Sequence, residues 1–306
     1  FTIIFYSDDS VTARLAAQDC FEYVDEMNAV FSDYDITSEL SKLNMVAGLD
    51  TLIQPSPMLY DIIIRSYDAW KESQKKFDIT IGTLTKLWRR AIKIKQFPSE
   101  KDLNYASSRS GFAHVIIDTN NKTIKILQPG LKFDLGGIAK GYVAQKVVDR
   151  LASKNFFSTL VDAGGDIITG NPPPGLQHWR LSIALPQSEI LQSSKNILVA
   201  NVAVATSGAT YQHIDYKGKE YSHIIDPETG YGVTFHRNVT VIAKDGATAD
   251  WLASACSILP MHQGKKLALH AGAALYITHY KKQKLKRSST RNFKLYFERL
   301  NKKQAG

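Results

Sequence analysis

Four short segments of this chain combine groups that could handle a phosphate or a metal ion. The densest is Asp134-Leu135-Gly136-Gly137-Ile138-Ala139-Lys140-Gly141, where a strand reads as ending and a helix as beginning across two glycines. Such a turn exposes backbone N–H groups beside the positive end of a helix, which suits a phosphate. Lys140 adds a charge, and Asp134 an acceptor for a ribose or base. The pattern fits neither the P-loop nor the dinucleotide fingerprint. Taken alone, a plain strand–helix turn in which glycine avoids a clash accounts for it slightly better.

The second segment, Asp162-Ala163-Gly164-Gly165-Asp166, again allows close backbone approach to a ligand, or simply a tight bend. The third runs from Tyr221 to Gly230 as YSHIIDPETG. It sets His223 at the end of a strand before an Asp-Pro turn, a place for a base or an orienting group. A lone histidine is more often structural, and Asp226 to Gly230 is ordinary turn chemistry. In the fourth, Ala247 to Ser254, Asp250 and Ser254 stand four apart and share one face of a helix. A carboxylate and a hydroxyl, completed by backbone carbonyls and phosphate oxygens, make a magnesium-type set. A helix N-terminal acid beside a buried serine reads the same pair without a metal. Two further stretches put an aromatic in a polar loop (Phe31-Ser32-Asp33-Tyr34, then Ser38 to Asn44) and an acid with a hydroxyl after a helix (Phe77-Asp78-Ile79-Thr80-Ile81-Gly82).

The elements that must position these groups follow from periodicity. Helical spacing of apolar residues predicts helices over Val11–Phe31, Met58–Gln74, Gly137–Ser153, Ala247–Leu259 and Gly264–His270. Strands are predicted at Phe1–Tyr6, Lys132–Leu135, Phe157–Val161, Trp179–Ala184, Ile197–Val204, Ser222–Ile225 and Val239–Ala243. A hairpin is expected around Asn120-Asn121, and a last strand pair at Ala273–Thr278 and Asn292–Leu300. Helices and strands do not alternate regularly, so the class is α+β.

The chain has 306 residues, 44% hydrophobic and 22% charged, enough for a substantial core. Its net charge of +9 is concentrated: Lys281 to Gly306 holds ten Lys/Arg and one Glu, which leaves 28 basic and 28 acidic residues elsewhere. A global basic field for nucleic acid is therefore not supported. The basic tail could touch an anionic membrane, but a solvated hairpin and frayed end is the favoured reading. Cys20 and Cys256 form no metal or redox motif and read as two buried free thiols. Ser73-Gln74-Lys75-Lys76 matches S-x-x-K, yet its companion motifs of serine hydrolases are missing.

At these residues the chain resembles the ApbE family, the FAD:protein FMN transferases. The resemblance runs in order along nearly the whole chain. It includes Phe31 to Tyr34 with Ser38 to Asn44, Phe77 to Gly82 with Leu87-Trp88, Asp134 to Gly141 and Ala163 to Asp166. It continues through Val204 to Gly208, His223 to Gly230 and Ala249 to Ser254. It implies one domain over residues 1–306, within which the charge distribution marks 281–306 as a basic C-terminal hairpin or tail. It further implies two intimately joined α+β halves, one T-fold-like, with FAD in the cleft between them. By the family's pattern Tyr34 would lie against the isoalloxazine and Phe77, Asp78 and Ile79 would line the flavin site. Asp134, Lys140 and the backbone around Ile224 would also contact FAD. Magnesium would take the carbonyl of Gly137, the carboxylate of Asp250 and the hydroxyl of Ser254, and His223 would be the catalytic histidine. Ser254 stands where many members have threonine, and Gln145 where an aspartate is common.

The implied reaction is magnesium-dependent transfer of FMN from FAD to a Thr or Ser hydroxyl of a target flavoprotein, with release of AMP. The expected partner is a flavin subunit of a membrane redox complex. Two alternatives use the same pocket: an FAD pyrophosphatase yielding FMN and AMP, and an FAD-binding module without transfer chemistry. The family's lipoprotein form, together with a chain that opens in mid-strand, carries the expectation of an extracytoplasmic, membrane-anchored protein. Asp245-Gly246-Ala247-Thr248-Ala249 also resembles the family's acceptor sites. The stronger reading of Thr248 is a residue in the first turn of a helix.

Overall fold

Polar side chains set the starts of the N-terminal helices. The computed structural model describes residues 1–183, 195–208, 212–235, 237–281 and 284–298. Strand β1 (Thr2–Phe5) leads to helix α1 (Ser10–Phe31), where the Asp9 carboxylate accepts the Val11 N–H at 2.9 Å. Ser38 caps α2 (Glu39–Met45), a seven-residue helix inside the stretch read as a polar loop, and it buries only Leu40 and Leu43. Ser56 and Ser99 cap α3 (Pro57–Glu72) and α5 (Glu100–Ser107), with α4 (Gly82–Ile94) between them. Each cap satisfies a backbone N–H that the helix leaves unpaired.

The hairpin of β2 (Val115–Asp118) and β3 (Thr123–Ile126) forms where Asn120-Asn121 places it. Helix α6 (Ala139–Ser153) then leads into the main sheet. This holds β1, β4 (Thr159–Asp162), β5 (Ile167–Thr169), β8 (Ala203–Gly208), β11 (Arg237–Ala243), β12 (Ala274–Lys281) and β13 (Lys284–Ser289) in that spatial order, every pair antiparallel. Separate two-stranded ribbons join β6 (Trp179–Ser182) to β7 (Asn196–Val199) and β9 (His213–Tyr216) to β10 (Lys219–Ser222). Helices α7 (Gly246–Ile258) and α8 (Met261–His270) complete the order. The class is α+β, as expected. The halves share one core: Met27, Ile62 and Phe133 from the first belong to the same cluster as Val239, Val241 and Leu252 from the second. No helix among the described residues is long and apolar enough to cross a membrane. Cys20 and Cys256 are buried free thiols.

Four expected strands differ. Lys132–Leu135 pairs with no full strand, because Asn44 clasps the backbone of Phe133 (N–H to Oδ1, 2.7 Å) and Asp134 N–H donates to Ile79 O at 2.7 Å. The run Ile197–Val204 splits into β7 and β8 at Asn201, which takes a left-handed φ of 54°. β10 ends at Ser222: the His223 N–H still bonds the Gln212 carbonyl at 2.9 Å, in register, but beyond it the chain turns to its own continuation, where the Val233 N–H donates to the Ile224 carbonyl at 2.8 Å and Ile225 forms a lone bridge with Gly232. Asn292–Tyr296 is a 3-10 helix instead of a strand. It seats Phe293 in the second core cluster, and the partner of β12 is the basic strand β13. Residues 299–306 of the expected tail lie outside the described residues.

Helix α7 is almost entirely buried and crosses α6 at a glycine pair. A Cβ on Gly141 would lie 2.1 Å from the carbonyl oxygen of Gly246 and 2.9 Å from the Cβ of Asp250. Gly141→Ala should therefore force the helices apart and destabilise the protein by about 1–3 kcal/mol or more. The midpoint of chemical denaturation measures this; an unchanged midpoint would mean the crossing yields without cost.

Candidate active site

A cavity of about 720 Å³ is walled by residues of the segments 76–89 and 134–140 and by residues of β8, β11, α7 and the loop 223–227. Its size falls within the usual range for small-molecule and cofactor sites, about 300–1,000 Å³. Phe77, Asp78, Ile79, Asp134, Gly137, Lys140, His223, Ile224, Asp250 and Ser254 all line it. Of the residues expected to bind flavin or metal or to act as the base, Tyr34 alone does not line it. It stands beside the cavity, 81% exposed, under the guanidinium of Arg89, which does line it. Thr248 is not brought in. It lies in the first turn of α7, as expected, and its hydroxyl donates to the Asp245 carboxylate at 2.7 Å.

The first wall is a rigid loop. Asp78 accepts both the N–H (2.7 Å) and the hydroxyl (2.6 Å) of Thr80, while Thr80 Oγ1 accepts the Gly111 N–H at 2.6 Å. Burial pushes the Asp78 carboxyl up to about 6, against these bonds. Asp134 is also committed within the protein. Its carboxylate accepts from Arg89 (2.8 Å), Thr85 (2.6 Å) and the Gly136 N–H (2.8 Å), which locks the glycine turn.

Behind that turn lies a charge cluster in which two buried acids meet a half-exposed lysine. Lys140 pairs with Asp166, which is 2% exposed, and Asp250, 4% exposed, lies near enough to both for their charges to act on one another. Asp250 also accepts the Gly141 N–H at 3.2 Å. Burial raises the pKa of both carboxyls, and for Asp250 the neighbouring Asp166 raises it further. Burial opposes the charge on Lys140, but Asp250, Asp166 and Asp162 together outweigh it and hold the ammonium above its ordinary range. The two acids against one ammonium therefore leave room for one further positive charge.

Oxygen ligands for such a charge are at hand. A Cβ on Gly137 would lie 3.0 Å from Ser254 Oγ and 3.2 Å from the Phe77 ring, so the serine and the glycine backbone are packed together. Among the described residues neither the Ser254 hydroxyl nor the Gly137 carbonyl carries a hydrogen bond. Hard oxygen donors beside buried carboxyls fit a magnesium ion.

His223 lines the same cavity from a loop clamped at both ends. Its Nδ1 lies 3.3 Å from the Gln212 carbonyl, which favours the tautomer with the proton on Nδ1 and leaves Nε2 to accept. Burial lowers the pKa of the imidazole, and the charge of Arg89 lowers it further. Lys76 Nζ bonds Asp226 (2.9 Å) and Glu228 (2.6 Å), and Trp88 Nε1 bonds the Gly230 carbonyl (2.9 Å), fixing the turn that follows. The Ile224 N–H donates to Ser222 Oγ at 3.1 Å.

The family profile described as the ApbE family matches residues 1–277. The chain belongs to the ApbE family. Its relatives include the FAD:protein FMN transferase of Haemophilus influenzae, 26% identical over 287 residues, with 89% of this chain and 81% of that protein covered. The FAD:protein FMN transferase of Treponema pallidum is 29% identical over 262 residues, covering 80% and 71%. Among solved structures, the flavin transferase ApbE from Vibrio cholerae superposes with a TM-score of 0.85 at 25% identity, covering 96% of this chain and 94% of that one. The apo flavinyl transferase ApbE of Pseudomonas stutzeri gives 0.84 at 26%, covering 96% and 92%.

Around this ApbE-family cavity the structure supplies residues or pairings that the sequence did not show. Asp166 was visible in the Ala163 to Asp166 motif but had no assigned partner; only the fold brings it to Lys140 and Asp250. Arg89 and Thr85 carried no motif signal, and Lys76 figured only in the S-x-x-K match, which has no part in the site. Arg89 and Thr85 sit on α4, a helix the apolar pattern had left unassigned.

Proposed function

We propose that this chain, an ApbE-family transferase, moves FMN from FAD to a Thr or Ser hydroxyl of a partner flavoprotein and releases AMP. The observation that carries the reading is the pair of buried acids, Asp166 and Asp250, with Lys140 at their open side. It lies beside Gly137 and Ser254, on the same cavity as a histidine held neutral. The names of the relatives support the substrate and the acceptor class.

In this reading Phe77 and Ile79 give the flavin an apolar wall. Lys140 stays protonated and offers its charge to an anionic group. Asp250, Ser254 and the Gly137 carbonyl would hold magnesium, which would supply charge neutralisation at the pyrophosphate and a better leaving group. His223, neutral at pH 7, accepts the proton of the attacking hydroxyl at Nε2. The hydroxyl oxygen bonds to the FMN phosphorus as the anhydride bond to AMP breaks. The products are a phosphodiester-linked flavin, AMP and a protonated imidazole that returns its proton to solvent. An extracytoplasmic location, a lipid anchor and an acceptor within a membrane redox complex are parts of the same proposal, supported by the family resemblance.

AMP release from FAD and magnesium, with and without a Thr-bearing acceptor peptide, tests the reading. A transferase releases AMP in step with acceptor. Equal release without acceptor would make the protein a pyrophosphatase, with water as the nucleophile.

A further inference from the structure

We propose that Arg89 is a positioning residue for the flavin: it holds one face of the Tyr34 ring and leaves the other open to receive the isoalloxazine. The inference rests on the reading that FAD occupies this cavity. Arg89 projects from α4 between two carboxylates, with Nη1 2.6 Å from Asp33 and Nη2 2.8 Å from Asp134. Its guanidinium carbon lies 5.1 Å from the centroid of the Tyr34 ring. The two carboxylates are 11% and 6% exposed, so both ends of the guanidinium are fixed while the tyrosine stands open to solvent.

The backbone of the Tyr34 loop is held independently. Its own N–H donates to Ser32 Oγ at 3.3 Å, the Asp35 N–H to the same oxygen at 3.1 Å, and Ser38 Oγ to the Ser32 carbonyl at 2.6 Å. None of these bonds orients the ring. Among the described residues the phenol hydroxyl makes no hydrogen bond and no other aromatic ring touches it, which leaves Arg89 as the group that sets the ring's direction. A guanidinium suits this task because its planar fork can satisfy two carboxylates and present a flat cationic face to a ring together; a lysine ammonium cannot.

The test compares wild type, Arg89→Gln and Arg89→Lys, each also in a Tyr34→Ala background. FAD affinity and the quenching of flavin fluorescence on binding are the readouts, after thermal melts establish that every variant folds. Arg89→Gln should weaken FAD binding about tenfold and reduce the quenching, and Arg89→Lys should restore neither. In the Tyr34→Ala background the same change should cost less than about twofold, because the interaction through which it acts is gone. An equal loss in both backgrounds would overturn the proposal, since Arg89 would then act without Tyr34. So would an Arg89→Gln variant that binds FAD as tightly as the wild type. A folded wild type that binds no FAD would overturn the reading of the cavity itself.

Discussion

Asp250→Ala should lower metal-dependent FMN transfer by about a thousandfold or more in a protein that still folds. The magnitude follows from losing a ligand to a metal that contributes several kcal/mol to the transition state, at about 1.4 kcal/mol per factor of ten. Folding should survive because the change leaves no uncompensated buried charge. Lys140 keeps its partner Asp166, and the carboxyl removed is the one pressed against that same acid. Asp250→Asn should retain thermal stability for the same reason while still losing turnover. At the neighbouring ligand, Ser254→Thr should keep activity because the oxygen survives, whereas Ser254→Val should lose it. Steady-state rates across a magnesium titration check all four. Wild-type turnover by Asp250→Ala at any magnesium concentration would remove Asp250 from the metal set.

His223→Ala should lower kcat by about a hundredfold to ten-thousandfold, the range of a general base. FAD affinity should stay within about an order of magnitude, because the residue acts on the attacking hydroxyl. The pH dependence carries a sign that can be checked. Burial lowers the pKa of His223, so the neutral form that accepts a proton persists into mildly acidic solution. The rate should therefore hold steady below neutrality and fall only as pH drops through a value beneath the ordinary histidine pKa of about 6.5. His223→Ala should abolish that acid limb. A large loss of FAD affinity with kcat unchanged would make His223 a binding residue instead.

What the sequence made legible depended on whether a group's partner lay nearby in the chain. The four-residue spacing of Asp250 and Ser254 needed only a helix, and α7 supplies it. Asp134 and the glycine turn were likewise local, since the Asp134 carboxylate holds the Gly136 N–H two residues on. Arg89 was hidden because its partners, Asp33 and Asp134, are 56 and 45 residues away. Asp166 was hidden in the same way: its motif advertised a bend, and only the antiparallel sheet carries it to Lys140. The strand at Lys132–Leu135 failed for a related reason. Its alternation is real, but the groups satisfying its backbone are the Asn44 side chain and a loop carbonyl, which no periodicity encodes. Asn201 shows the converse case, where one left-handed residue cuts an apolar run that reads as continuous.

The intact mass of an acceptor protein bearing a suitable threonine, after incubation with this chain, FAD and magnesium, tests the central claim most directly. The account predicts an increment equal to one FMN joined by a phosphodiester, absent when magnesium is chelated and absent with Asp250→Ala. An acceptor of unchanged mass, while FAD is converted to FMN and AMP, would contradict it.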